Sequence, residues 1–189
     1  MYRFKLIELK KNLFYINIAI LMFVAGTIYF AFFGSSTKQG QVIYYSNKCL
    51  SELPKPRGHI NDFVSLFLPH QINILDSIIS NHEKQTGNQV AIITIDSLML
   101  GKCSVDEYTM EIGNHWGVGH KGKNNGIVIG IGPRLRKISI KNGYGIQKIL
   151  SNEETKQIID SVIIPEFRKA DYFEGTRKGL LAIFQQISN

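Results

Sequence analysis

Residues 90–131 read VAIITIDSLMLGKCSVDEYTMEIGNHWGVGHKGKNNGIVIGI, and their pattern decides the fold. Val90 to Ile95 and Gly126 to Ile131 are short apolar runs rich in β-branched residues. Strands buried on both faces of a sheet read this way. Between them, Ser104 and Glu107 stand three apart as a capping box for a helix running to about His115. The glycine-rich stretch from Gly117 to Gly122 then reads as a loop leading from that helix into the second strand.

Working outward, Pro69 suits the first turn of a helix. Ile72, Leu75, Ile79 and His82 follow with helical spacing, and Thr86-Gly87-Asn88 ends the run. Downstream, Gly132-Pro133-Arg134 marks a hairpin with a four- or five-residue connection. Lys137 to Lys141 (KISIK) alternates, which predicts a strand with one wet face. Gly143-Tyr144-Gly145 reads as a turn. Ser151 with Glu154 caps a helix expected to end before Pro165. Asp171 with Glu174 caps the last helix, whose apolar face includes Leu180, Leu181, Phe184 and Ile187. Helix, strand, helix, strand, strand, helix, helix predicts an α/β fold: a three-layer α/β/α sandwich around a small mixed sheet.

The N-terminal part has a different character. Leu13 to Phe33 holds no charged residue. At about 1.5 Å per residue it is long enough for the roughly 30 Å hydrocarbon layer. Phe14, Tyr15, Tyr29, Phe30, Phe32 and Phe33 sit near its ends, as interfacial aromatics do, and Arg3, Lys5, Lys10 and Lys11 precede it. The expected organisation is a cytoplasmic basic tail (1–12), one transmembrane helix (13–33), a linker (34–53) and a folded domain (54–189). The positive-inside rule then places that domain outside the cytoplasm, in the periplasm of a bacterium. A cleaved signal peptide is the competing reading, but its apolar core is usually shorter and Phe32-Phe33-Gly34 is not a small-residue cleavage site. Val42-Ile43-Tyr44-Tyr45 in the linker suits a short edge strand.

Charge and cysteine content narrow the function classes. The formal charge is +7, with 22 Lys+Arg against 15 Asp+Glu. Between Glu111 and Glu153 the charged residues are all basic: Lys121, Lys123, Arg134, Arg136, Lys137, Lys141 and Lys148. Such a region is either a solvated rim or a surface for phosphate, lipid headgroups or an acidic partner. Nucleic acid is not an expected partner outside the cytoplasm. Cys49 and Cys103 either pair, closing a loop worth ~4 kcal/mol in the chain-entropy model, or are two unrelated thiols.

Gly117 to Gly122 matches GxGxxG and Gly117 to Lys123 matches GxxxxGK, but both motifs need a strand before the glycines and a helix after them. Here the order is reversed, and Asn124 stands where a Mg²⁺-binding Ser or Thr belongs. His115 and His120 are too far apart for a helical metal pair. No GxSxG or HExxH is present. Asp62, Asp96 and Asp106 each have an ordinary role available, in a loop, at a strand end and in a first helical turn.

From Leu53 onward an ordered set of pieces resembles the TPM-domain family, named for thylakoid-lumen, photosystem II repair and acetylcholine-receptor-modulating proteins. The pieces are Pro54-Lys55-Pro56 with Ile60-Asn61-Asp62-Phe63, then Thr86-Gly87 and Trp116-Gly117-Val118-Gly119. Lys121-Gly122-Lys123-Asn124-Asn125-Gly126 and Gly143-Tyr144-Gly145 come next, and Ile164-Pro165-Glu166-Phe167 with Asp171-Tyr172 close the set. The resemblance implies an α/β/α sandwich beside a membrane. It also implies one of three activities: phosphatase, divalent-cation binding (Ca or Mg), or an accessory role in membrane-protein assembly or maintenance.

This sequence departs from the family's acidic pattern. The family's Asp-Asn-Gly is Asn124-Asn125-Gly126, and its acids flanking the Gly-Tyr-Gly turn are Lys141 and Gln147; Asp62 alone keeps its charge. A divalent ion needs anionic oxygens, and metal-assisted hydrolysis needs that ion. The expectation is therefore no cofactor or metal, and a non-catalytic binding domain. Its surface is Trp116, Lys121, Lys123, Asn124, Asn125, Lys141, Tyr144 and Gln147, with Trp116 equally suited to the core. The expected partner is another membrane protein or an anionic group. The alternative is a phosphatase with a rearranged site, using Asp62 and the basic loop to hold phosphate. A third reading is a lipid-headgroup binder.

Overall fold

The computed structural model describes residues 53–188. The tail, the expected membrane helix at 13–33, nearly all of the linker with its strand at 42–45, and Cys49 lie outside the described residues. Among the described residues no helix is long and apolar enough to cross a membrane.

A four-stranded mixed sheet runs in the order β1 (Ile60–Asn61), β2 (Gln89–Thr94), β3 (Gly126–Gly132), β4 (Lys137–Asn142). β1, β2 and β3 are parallel, and β4 is antiparallel to β3. The β3–β4 hairpin closes through Pro133–Arg136, a four-residue connection. β1 is the strand the sequence pattern does not announce: two residues are too few for a period. Its Asn61 is fully buried and donates to Gly58 O (2.9 Å) and Ile92 O (3.2 Å).

Helices cover both faces. α1 (Pro69–Thr86) buries Leu75, Ile79 and His82. A short turn of helix, α2 (Ser97–Leu100), follows β2, and α3 (Val105–Trp116) follows that. α4 (Tyr144–Gln147) comes after β4, and the C-terminal half holds α5 (Asn152–Ile158), α6 (Ile164–Arg168) and α7 (Tyr172–Ile187). Side chains of a strand alternate between faces. Accordingly Ile92, Ile127, Ile129 and Ile131 pack with residues of α1 and α7, while Ile93 and Val128 pack with Val105, Tyr108 and Ile112 of α3. The His82 ring stacks on Phe184 of α7 at 3.7 Å. Cys103, 8% exposed, is disulfide-bonded.

Local expectations need correction or refinement at four places. Gly143-Tyr144-Gly145 is not a bare turn but opens α4. Leu181 faces solvent while its neighbours on α7 are buried. The helix begun at Asn152 ends before Pro165, as expected, but at Ile158 and without a loop after it. A π-helical turn, Ile159–Ile163, intervenes, with the Ile164 N–H reaching Ile159 O. That wide turn lets Pro165 start α6 at a position where a missing N–H costs little. The polar face of β4 is wet only in part: Lys137 is exposed, but Ser139 is 4% exposed, because α3 lies over it.

Candidate functional site

Two loops meet at the N-terminal end of β3. α3 ends at Gly117 in a left-handed cap (φ 65°), which releases the chain into the loop 118–125. The second loop begins at Gly143. The Gly143 N–H donates to Gly126 O (2.8 Å) and the Gly145 N–H to Asn124 O (2.9 Å). A Cβ on Gly145 would lie 2.1 Å from Lys123 O, and one on Gly143 would lie 2.3 Å from Asn124 O. Glycine at both positions is what lets the backbones touch.

Asn125 anchors the first loop. It is buried; its Oδ1 accepts from the His120 N–H (2.9 Å), and its Nδ2 donates to Gly87 O (2.8 Å) and Asn88 Oδ1 (3.2 Å). Gln89 adds a second tie, accepting from the Gly119 N–H at 2.9 Å.

Beside the loops, a groove of about 610 Å³ runs along β4 between α3 and α5. Four of the expected binding residues line it: Asn124, Lys141, Tyr144 and Gln147. Tyr144 is 76% exposed. Gln147 donates to Asn142 O at 2.9 Å. The Lys141 ammonium donates to Asp106 Oδ2 (2.6 Å), and Ser139 Oγ donates to Asp106 Oδ1 (2.8 Å). Partial burial pushes the Asp106 carboxyl up, but Lys141 and Ser139 outweigh it and hold the group below the usual carboxylate range. Asp106 is the single carboxylate among the described residues lining the groove. No cluster of three or more His, Cys, Asp or Glu suited to a metal occurs among the described residues.

The other expected residues stand elsewhere. Lys121 and Lys123 are exposed on the first loop, outside the groove lining, and form no ion pair among the described residues. Asn125 sits beneath that loop as its anchor. Trp116 is half-buried against the α3-side core, and its indole N–H donates to Pro54 O (2.6 Å), pinning the lead-in segment. Asp62 is at the other end of the sheet. It follows β1, accepts from the Leu66 and Phe67 N–H groups (3.0 and 2.9 Å), and accepts from Thr94 Oγ1 at 2.7 Å. β2 alone separates that end from Gln89 by about 17 Å. The structure therefore does not bring Asp62 to the basic loop, and both of its oxygens are engaged with the chain itself.

A further cluster was not legible in the sequence. His59 Nδ1 lies 2.9 Å from Asp76 Oδ1, and Nε2 lies 2.9 Å from Glu83 Oε2. Burial lowers the His59 pKa, but the two carboxylates outweigh that and raise it overall. The groove residues Asp106 and Asn142 were equally hidden as site members. Asp106 reads as a first-turn acid, Asn142 falls just after the strand expected at 137–141, and no spacing rule links either to Lys141.

The sequence profile of the TPM domain matches residues 60–186. The chain belongs to the TPM domain family. A search of curated proteins finds no match. Among solved structures, this TPM domain is similar to the N-terminal domain of a protein from P. gingivalis. There the TM-score is 0.62 and the identity 26%, over 68% of this chain and 81% of that one. A protein from the psychrophilic bacterium Bizionia argentinensis shares the fold at a TM-score of 0.56 and 15% identity, over 67% of this chain and 84% of its own. The N-terminal domain of a Corynebacterium glutamicum protein does so at 0.54 and 11%, over 72% and 85%. The family assignment and the α/β fold around a small mixed sheet thus agree with the reading of the sequence.

Proposed function

We propose that this TPM domain is a non-catalytic binding module. It is tethered to the membrane by residues 13–33, carried outside the cytoplasm (in the periplasm of a bacterium), and serves assembly or maintenance of membrane proteins. One observation carries the reading: the Lys141 ammonium is already bound to Asp106, the groove's carboxylate. A divalent ion entering there would have to displace a covalently tethered cation and would then find mainly neutral amide oxygens, from Asn124, Asn142 and Gln147. Such a site favours neither the ion nor the activated water that metal-assisted hydrolysis requires.

The same contact refines the partner. With its charge committed to Asp106, Lys141 adds little to an anion site, so the groove itself is amide-lined and close to neutral. Such a surface suits another polypeptide, with exposed Tyr144 supplying contact area and Lys121 and Lys123 supplying charge at the rim. The test is crosslinking of the full chain in its native membrane from Lys121 and Lys123, alongside a phosphoester hydrolysis assay with Mg²⁺ and Ca²⁺. A discrete crosslinked membrane protein with no hydrolysis is expected. Turnover that persists through purification and disappears in Asp106→Asn would overturn the reading in favour of a phosphatase. Crosslinks to lipid alone would replace it with headgroup binding.

A further inference from the structure

β4 is the outer strand of the sheet, hydrogen-bonded to β3 and to no other strand among the described residues. The direction in which its backbone groups point follows from the register. The Gly143 N–H donates to Gly126 O, so the ladder position just beyond β4 is a hydrogen-bonded pair. Pairs in an antiparallel ladder alternate. Lys141, Ser139 and Lys137, opposite Val128, Gly130 and Gly132, therefore turn their backbone groups toward β3. Ile138, Ile140 and Asn142 turn theirs outward. Two further bonds agree. Ile131, opposite Ile138, offers its carbonyl to Ile95 N–H on the far side of β3, and Asn142 O receives Gln147 from the outer side.

The outward N–H and C=O of Ile138 and Ile140 have no hydrogen-bond partner among the described residues. They face the groove, whose floor is the unbroken run Ile138 to Asn142. Exposed edges are usually blunted by proline, a bulge or a projecting lysine. β4 has neither proline nor a break in its register; Lys141 is drawn aside onto Asp106, and the exposed lysine that remains, Lys137, stands at the first position of the strand, before Ile138. The volume of about 610 Å³ is that of a ligand-sized cleft, and an added strand needs only about 4.8 Å of lateral room. Charge selects the occupant: Lys123, Lys137 and Lys148 adjoin the lining residues Asn124, Ile138 and Gln147 and form no ion pair among the described residues, outnumbering Glu111 and Glu153, which adjoin Met110 and Asn152.

We infer that the groove receives an extended, acidic segment of a partner polypeptide, which pairs with the outward groups of Ile138 and Ile140 as a fifth strand. This rests on the binding reading above and supplies its mode. The main-chain bonds would give affinity, while the flanking lysines would select for acidic side chains.

Hydrogen exchange on the full chain in detergent micelles tests it, with a short synthetic peptide alternating glutamate and valine as the probe. A peptide of the same sequence with alternate backbone nitrogens methylated is the control. Saturating probe should slow exchange at Ile138 and Ile140 by about tenfold or more, leave Ser139 and Lys141 as they were, and the methylated control should do neither. Absence of protection at saturation, or equal protection by the control, overturns strand addition. So does full protection of Ile138 and Ile140 before any peptide is added, since the chain would then cover its own edge. If the edge stays unprotected while Lys121 and Lys123 still crosslink to a membrane protein, strand addition fails and the binding function stands. If both fail, both are wrong.

Discussion

Lys141 on β4 and Asp106 in the first turn of α3, 35 residues apart in sequence, meet at 2.6 Å and join the outer strand to the helix packed on one face of the sheet. The contact gives a helix N-terminus its anion and gives that anion a cation. Asp106 is two-thirds exposed, so the pair is screened and modest in strength. Lys141→Ala should cost about 0.5 kcal/mol in denaturant unfolding at low salt and less at high salt. The Asp106 carboxyl is held low in the folded state, so its contribution is present above the unfolded value of about 3.9 and is lost as pH falls through the folded one. Loss of Lys141 should shift that acid limb upward.

Reversing the sign at the same place tests the cation argument. In Lys141→Glu two carboxylates face each other across the groove. The variant should lose stability in the absence of metal and recover part of it in millimolar Ca²⁺, read as melting temperature. The wild-type chain should show no such recovery, and a calcium-dependent rise there would contradict the proposed function.

Gly145 sets the approach of the two loops. Gly145→Ala places a methyl 2.1 Å from Lys123 O, so one loop must move and the bond to Asn124 O must break. A loss of about 2 kcal/mol or more is expected from thermal or denaturant unfolding. Gly122→Ala, where a Cβ meets nothing within 4 Å, carries only the φ +84° penalty and should cost less.

Asp62→Asn distinguishes architecture from chemistry. The carboxylate accepts two backbone N–H groups and the Thr94 hydroxyl, and the amide can serve only one oxygen's share of them. Stability should fall by about 1–3 kcal/mol. Partner crosslinking from Lys121 and Lys123, at the other end of the sheet, should persist in the folded fraction.

The two buried or half-buried histidines should pull stability in opposite directions with pH. His59 has a raised pKa, so its contribution is complete below the unfolded value of about 6.5 and fades as pH rises through the folded one. His82, lowered by burial against Phe184, contributes above about 6.5 and loses that contribution as pH falls. Unfolding curves across this range should show His59→Gln flattening the alkaline side and His82→Phe flattening the acidic side.

Much of the fold was readable because its signals are local. The capping boxes at Ser104 and Ser151 form as the three-residue spacing predicts, and the Asp171 side chain likewise accepts from the Glu174 N–H. Val90 to Ile95 and Gly126 to Ile131 are buried because a strand covered on both faces tolerates nothing polar except a satisfied group such as Thr94. The misreadings share one cause. The alternation in KISIK correctly gave two faces to β4, but whether the polar face meets water or a helix depends on where α3 packs. Pro165 correctly signalled a break in helical bonding, but a π turn absorbed it without ending the path.

The candidate site divides in the same way. The family resemblance singled out Asn124, Lys141, Tyr144 and Gln147 around two turns and implied that acids expected there were missing. It could not show that Lys141 is spent on Asp106, that Asp62 serves the opposite end of the sheet, or that β4 leaves the outward groups of Ile138 and Ile140 without partners among the described residues. Capping, periodicity and glycine turns are fixed by neighbours a few residues away, so the chain carries them openly. Ion pairs and free strand edges are fixed by which distant segments the hydrophobic core brings side by side, and that is decided only on folding.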